Sequence, residues 1–243
     1  MLQLIADPNV WASLLTLTVM EIVLGIDNLV FISVLTGRLP PALSRRARAI
    51  GLSLALLFRI ALLATLSWLI GLTMPLFSAF GHDFSWRDII LLAGGLFLIY
   101  KATHEIHRDI EGEHEEAGGA VQAAFAAVVS QIIVIDIVFS IDSIITAIGM
   151  AEHLPVMIAA VVIAMLVMFA ASGPISQFIS RHPTTKMLAL AFLLLVGVSL
   201  VADGVGFHVP RGYIYFAMAF SAGVEAVNIL ARRKRVAAGQ THH

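Results

Sequence analysis

Seven stretches of this sequence are apolar over a length that would cross a lipid bilayer. A transmembrane helix needs about 20 consecutive, mostly apolar residues. The stretches that meet this requirement cover residues of about 10–36, 47–72, 87–103, 121–149, 156–180, 186–203 and 213–231. The composition agrees, because 59% of the 243 residues are hydrophobic and only 13% are charged, whereas about a quarter of the residues in soluble domains are charged. The sequence therefore predicts an all-α membrane protein with seven transmembrane helices.

The basic residues indicate how these segments are oriented. When the connecting segments are assigned alternately to two sides, most of the 15 Lys and Arg residues fall on one side. That side carries Arg38, Arg45, Arg46, Arg48, Lys101, Arg108, Arg181, Lys186, Arg232, Arg233, Lys234 and Arg235. The other side carries Arg87 and Arg211, and Arg59 lies within the second segment. Because cytoplasmic loops are enriched in Lys and Arg, we expect a periplasmic N-terminus and a cytoplasmic C-terminus.

Two acidic motifs of equal spacing occur in the first and fourth segments. In each, one carboxylate is followed after six residues by a second carboxylate and then a small polar residue. These residues are Glu21, Asp27 and Asn28 in the first segment and Asp136, Asp142 and Ser143 in the fourth. Because the motifs are an odd number of segments apart, the two copies face opposite ways across the membrane. We therefore predict one transmembrane domain over residues 1–231, built from two inverted three-helix repeats (about 10–103 and 121–203) and a seventh helix (about 213–231), followed by a cytoplasmic basic tail at 232–243.

The acidic residues of both motifs form a candidate metal site. Each charge at the centre of a transmembrane helix costs about 2.5–3.5 kcal/mol, so protonation, a basic partner or a bound cation must offset it. The candidate ligands are Glu21, Asp27, Asn28, Asp136, Asp142 and Ser143. These oxygen ligands suit Mg, Ca or Mn rather than Cu or Zn. Two alternatives stay open: hydrogen bonds that tie the helices together, and a proton relay without a metal.

The spacing of each motif restricts how it can bind one ion. In a regular helix Glu21 and Asn28 share a face, whereas the second carboxylate of each pair points about 120° away. For each pair to serve one ion, the helix would have to unwind locally. Gly25 and Ser140 occupy equivalent positions between the paired acids and would permit such a break.

Three further polar residues in predicted helices are candidate accessory residues. Arg59 lies deep in the second segment, and we expect it to pair with one of the carboxylates. It would then serve either as an internal counter-ion or as half of a structural ion pair. Glu225 and Asn228 share a face of the seventh helix. They would complete the site or line its path, unless Glu225 pairs with the basic run at 232–235.

These motifs resemble the TerC integral membrane family, and in particular its short YgdQ-like inner-membrane subgroup. The resemblance also includes the region from His182-Pro183 through Pro210-Arg211-Gly212 to Glu225 and Asn228. It implies a seven-span fold in the bacterial inner membrane and a role in manganese export or metal homeostasis, with intramembrane acids at Glu21, Asp27, Asp136 and Asp142 and the amide of Asn28. Ser143 departs from a strict Asp-Asn pair. Some members of the family are linked to tellurite resistance or to metal loading of secreted enzymes, and others carry a cytoplasmic regulatory domain that we do not expect here.

We therefore expect an Mn(II) efflux transporter rather than an enzyme. Mn(II) would be the transported ion, and no prosthetic group is expected. The lipid bilayer and the divalent ion are the expected partners, nucleic acid is not, and association with itself or with other membrane proteins stays open. The alternative function is a non-transporting membrane scaffold in metal or tellurite resistance or in metal loading of secreted proteins, although a scaffold does not require mirrored acid pairs.

Overall fold

The fold is a bundle of long helices that also contains a short hairpin. The structure is a computed structural model that describes residues 7–79, 81–111, 121–148 and 154–239. Its helices in chain order are α1 (Pro8–Thr36), α2 (Pro41–Ala64), α3 (Leu66–Gly71), α4 (Trp86–Glu111), α5 (Val121–Ile148), α6 (Leu154–Arg181), α7 (Pro183–Gly204) and α8 (Arg211–Gly239). An antiparallel hairpin of β1 (Pro75–Ala79) and β2 (His82–Ser85) lies between α3 and α4. This hairpin was not among the elements predicted from the sequence.

Seven of these helices, all except α3, are long and apolar enough to span a membrane within the described residues. The predicted seven-helix membrane fold is therefore confirmed. Two helices extend eight residues beyond their predicted ends: α4 continues to Glu111, and α8 continues to Gly239, into the residues predicted as a basic tail.

The predicted second span, 47–72, is wrong at both ends. The helix begins six residues earlier, at Pro41, because proline is favoured in the first turn, where no N–H donor is needed. It ends at Ala64 because Thr65 leaves the helical conformation. The Thr65 hydroxyl donates to the carbonyls of Ala61 and Leu62 at 3.1 Å, which competes with continuation of the helix. The chain resumes as the separate short helix α3.

The helices pack in pairs that connect the two halves of the chain. The main contacts join α4 with α7, α1 with α6, and α2 with α5. Under the predicted repeat, α1 corresponds to α5 and α2 to α6, so the α1–α6 and α2–α5 pairs are equivalent. Each pair joins a helix of the first half of the chain to a helix of the second half, as expected if the two repeats pack against each other. The inverted repeat itself stays a prediction.

Helices α4 and α7 approach each other closely at two glycines. A Cβ atom on Gly95 would lie 2.7 Å from the carbonyl oxygen of Gly197, and a Cβ on Gly197 would lie 3.0 Å from the carbonyl oxygen of Gly95. Small residues commonly allow such close backbone contacts between transmembrane helices.

We expect Gly95→Ala to lower the free energy of unfolding by about 1–3 kcal/mol, because its methyl group would be forced against the backbone of α7. Thermal unfolding of the purified protein in detergent measures this effect. Gly223→Ala is the matched control, since a Cβ at Gly223 meets no atom within 4 Å and alanine is the better helix former. Equal unfolding temperatures for the two variants would contradict the close contact.

Candidate functional site

Two carboxylates lie near the middle of α1 and α5 and share one arginine. Glu21 and Asp136 are 3% and 5% exposed, and Arg59 of α2 is 2% exposed. Arg59 Nη1 donates to Glu21 Oε2 at 2.5 Å. Arg59 also donates to both oxygens of Asp136, from Nη2 to Oδ1 at 3.3 Å and from Nε to Oδ2 at 3.4 Å. The prediction that Arg59 pairs with an intramembrane carboxylate is confirmed.

Two neutral side chains complete the hydrogen bonding of Asp136. Asn28 Nδ2 donates to Asp136 Oδ1 at 3.0 Å, and the Ser140 hydroxyl, one turn along α5, donates to Oδ2 at 3.2 Å. We call Glu21, Asn28, Arg59, Asp136 and Ser140 the central cluster. Each oxygen of Asp136 thus accepts two hydrogen bonds, which is the arrangement that stabilises an ionised carboxylate in a buried place.

The second carboxylate of α5 belongs to a different cluster. Asp142 is 2% exposed, and its Oδ1 accepts a hydrogen bond from Arg87 Nη2 at 2.5 Å. Its Oδ2 contacts Nη2 of Arg211. We call Arg87, Asp142 and Arg211 the arginine cluster. The two arginine side chains are 23% and 25% exposed, so this cluster reaches the surface while the carboxylate itself is enclosed.

Both arginines lie at the starts of their helices. Ser85 N donates to Asp88 Oδ2 at 2.8 Å, and Asp88 N donates back to the Ser85 hydroxyl at 3.3 Å. This is a capping-box arrangement that starts α4 and holds Arg87 between its two members. Arg211 is the first residue of α8 and follows Pro210. The arginine cluster therefore joins the starts of α4 and α8 to the last part of α5.

The local unwinding that each acidic pair would need in order to serve one ion is not present at Gly25 or Ser140. α1 is helical through Gly25, and α5 is helical through Ser140. The absent side chain of Gly25 instead makes room for Met168, whose sulfur would lie 2.2 Å from a Cβ there. In a regular helix residues six apart point in different directions, and this is why Asp136 and Asp142 take part in different clusters.

The remaining predicted residues are distributed as follows. Asp27 lies within α1, and its side chain is outside the part of the chain that the structure describes. Ser143 is buried and donates to the carbonyl of Ser140 at 3.3 Å. Glu225 accepts hydrogen bonds from Asn228 at 3.4 Å and from Thr184 at the start of α7. The contact with Thr184 places Glu225 beside the start of α7, and Asn228 contacts Glu225 on the same helix.

A preformed metal centre is not seen among the described residues, where no three or more His, Asp or Glu side chains converge on one point. The predicted metal ligands thus stay a prediction. Arg59 lies between Glu21 and Asp136, and these two acids could bind one ion together only if its guanidinium moved away.

The role of Arg87 and Arg211 as partners of Asp142 was not predicted from the sequence. A signal was present, because these were the two arginines assigned to the sparsely charged side of the membrane. Asp142 lies six residues before the end of α5, and by the same alternation that end faces the same side. The position of Asp142 near this end of α5, taken together with the side of the membrane that the end faces, would have predicted its proximity to Arg87 and Arg211.

Seven transmembrane helices with ion-paired acids inside the bundle define a polytopic membrane protein with a charged interior. The chain belongs to the integral membrane protein TerC family, whose family model matches residues 6–238.

Several curated bacterial proteins are similar over nearly the whole chain. It is 53% identical over 233 residues to the UPF0053 inner membrane protein YoaE of Escherichia coli K12, covering 96% of the chain and 45% of that protein. It is 54% identical over 234 residues to a UPF0053 protein of Haemophilus influenzae, covering 96% of the chain and 99% of that protein. It is 52% identical over 230 residues to the UPF0053 inner membrane protein YgdQ of Escherichia coli K12, covering 95% and 97%. The chain thus spans less than half the length of YoaE. No solved structure gives a significant match to the chain.

Proposed function

We propose that this protein is a bacterial inner-membrane transporter for divalent cations that exports Mn(II), with the ion held by carboxylates of α1 and α5. One observation carries the proposal: Glu21 and Asp136 are both buried at mid-helix and share Arg59. Ionisable residues in the membrane interior are costly and typically mark ion pathways. An arginine that only tied two helices together would need a single acidic partner, whereas Arg59 has two.

The charges of the central cluster suit exchange with a divalent ion. Two carboxylates and one guanidinium leave one net negative charge when all three groups are ionised. If Arg59 withdraws, the two carboxylates carry the charge that balances a divalent cation. Arg59 would then act as an internal counter-ion that replaces the metal when the metal leaves. Mn, Mg and Ca prefer carboxylate and amide oxygens as ligands. Here Asn28 would supply the uncharged amide oxygen.

Polar atoms on both sides of the central cluster support a path rather than an isolated ion pair. Within the described residues, Thr18 Oγ1 and Gln131 Oε1 are buried without a hydrogen-bond partner. Thr18 precedes Glu21 by one turn of α1, and Gln131 precedes Asp136 on α5. Buried oxygens that lack a protein partner are normally satisfied by water or an ion. Glu21 also borders a small cavity lined by Leu17, Leu63, Ile144, Met157, Ala160 and Val161.

The choice of Mn(II) rests on the resemblance to the family, because oxygen ligands alone do not separate Mn from Ca or Mg. The orientation with a periplasmic N-terminus rests on the distribution of Lys and Arg. In this orientation the arginine cluster lies on the periplasmic side.

Transport into inside-out membrane vesicles tests this function. We expect saturable uptake of Mn(II) that is reduced at least about tenfold by Asp136→Asn, since this change removes one of the two charges that would hold the ion. Competition with Ca, Mg and Zn would order the selectivity. Arg46→Gln is the control, because Arg46 is an exposed residue of α2 outside the central cluster. Inactivity toward all four metals would contradict transport and favour the scaffold function.

A further inference from the structure

A second buried arginine lies on α2, away from both clusters described above. Arg48 is 9% exposed. Its Nη1 donates to the Ser44 hydroxyl at 3.2 Å and to the Ser176 hydroxyl of α6 at 2.9 Å. Among the residues that the structure describes, no carboxylate lies within ion-pair distance of Arg48. In this respect Arg48 differs from Arg59 on the same helix, which contacts two acids.

Arg48 and the two serines that accept its hydrogen bonds have donors left over. A guanidinium has five N–H donors and no acceptor, and a hydroxyl that accepts a hydrogen bond still has its own proton to donate. Neither the Ser44 nor the Ser176 hydroxyl donates to a protein acceptor in the described part of the chain. Burying a charge without a counter-charge is unfavourable. The site therefore has an excess of positive charge and of donors, and it lacks an anionic acceptor.

This site lies near one end of the bundle. Side chains of a helix point back toward its N-terminus, and Arg48 accordingly contacts Ser44, the fourth residue of α2. Ser176 lies five residues before the end of α6 at Arg181. Arg45, one turn before Arg48 on the same helix, is exposed. This end carries most of the basic residues, and basic pockets between transmembrane helices at the cytoplasmic surface commonly bind anionic headgroups.

We propose that Arg48, Ser44 and Ser176 form a binding site for a phosphate group between α2 and α6. Phosphate oxygens supply the charge and the acceptors that the site lacks, and arginine matches their geometry. The phosphate comes either from an anionic lipid headgroup or from free phosphate. The site is separate from the central cluster and does not depend on the transport function.

Lipid binding to the purified full-length chain tests the proposal. Native mass spectrometry would count phosphatidylglycerol molecules retained by the wild type, by Arg48→Gln and by Arg46→Gln, which removes an exposed arginine of the same helix. We expect Arg48→Gln to weaken retention at least about tenfold, which is the effect of losing charge-assisted hydrogen bonds, and Arg46→Gln to resemble the wild type. Ser176→Ala keeps the charge and should give a smaller loss, and it carries the test if Arg48→Gln does not fold.

A second arm separates the two sources of phosphate. Inorganic phosphate would be titrated against the delipidated wild type and Arg48→Gln, and the unfolding temperature would be followed. Stabilisation by inorganic phosphate that depends on Arg48, without selective lipid retention, identifies free phosphate as the ligand. Selective retention of phosphatidylglycerol that depends on Arg48 identifies the lipid. If wild type and Arg48→Gln behave alike in both arms, or neither probe binds, the proposal is wrong.

Discussion

Arg59→Gln is expected to destabilise the protein and to abolish metal transport. The change leaves Glu21 and Asp136 in the membrane interior without the guanidinium that contacts both of them. Removing one partner of a buried ion pair costs about 3–5 kcal/mol, because the remaining charge is uncompensated. Transport would also stop, since nothing would replace the metal between the two acids after its release. Thermal unfolding in detergent and Mn(II) uptake by vesicles measure the two effects.

A double variant separates the two roles of Arg59. Arg59→Gln combined with Glu21→Gln returns the central cluster to one net negative charge, as in the wild type. We expect it to recover part of the lost stability and none of the transport, because Glu21 is a proposed ligand. Arg59→Lys keeps the charge without the planar fork and should lie between wild type and Arg59→Gln. Normal transport by Arg59→Gln would show that Arg59 is a structural ion pair only.

Most of the fold could be predicted from hydropathy, because each span had to be long, apolar and punctuated by turn residues. Thus α6 and α7 lie within about three residues of their predicted limits. The end of α2 could not be predicted in the same way. Apolar character continues through Thr65, and the break depends on a hydroxyl that competes for helix carbonyls. The hairpin β1–β2 was missed because its strands are short and have no long alternating pattern.

The central cluster was partly predictable and the arginine cluster was not recognised. The cost of burying charge made a partner for Arg59 necessary, and the intramembrane acids were the candidates. Which acid pairs with which base depends on helix packing, which a single sequence does not reveal. The six-residue spacing did indicate that Asp136 and Asp142 have different partners, since only an unwound helix would direct both to one ion. The regular α5 sends them to separate partners.

Asp142→Asn is expected to open the bundle where α8 begins. Asp142 is the carboxylate that contacts both Arg87 and Arg211, and asparagine keeps its shape without the charge. Two guanidinium groups would then face each other without this counter-charge, and they would repel one another in a partly enclosed place. We expect the start of α8 to separate from α4 and α5. Mn(II) uptake should also fall, because Asp142 is one of the predicted ligands.

Thiol labelling would detect this opening directly, because the chain contains no cysteine. Ser199 of α7 is 7% exposed and lines a small cavity with Arg211, Ile214 and Tyr215 of α8. A Ser199→Cys variant should react slowly with a membrane-impermeant maleimide, and at least about tenfold faster when combined with Asp142→Asn, which corresponds to about 1.4 kcal/mol in the opening equilibrium.

Asp203→Asn is the matched control for this experiment. Asp203 is also a buried acid near this end of the bundle, on α7, but its described ion-pair partner is His208, at 3.1 Å. Its replacement removes a carboxylate without leaving two arginines together, so the labelling rate should stay close to that of Ser199→Cys alone. Equal rates in Asp142→Asn and Asp203→Asn would show that the arginine cluster does not hold α8 in place. Loss of uptake without faster labelling would instead assign Asp142 to the ion path alone.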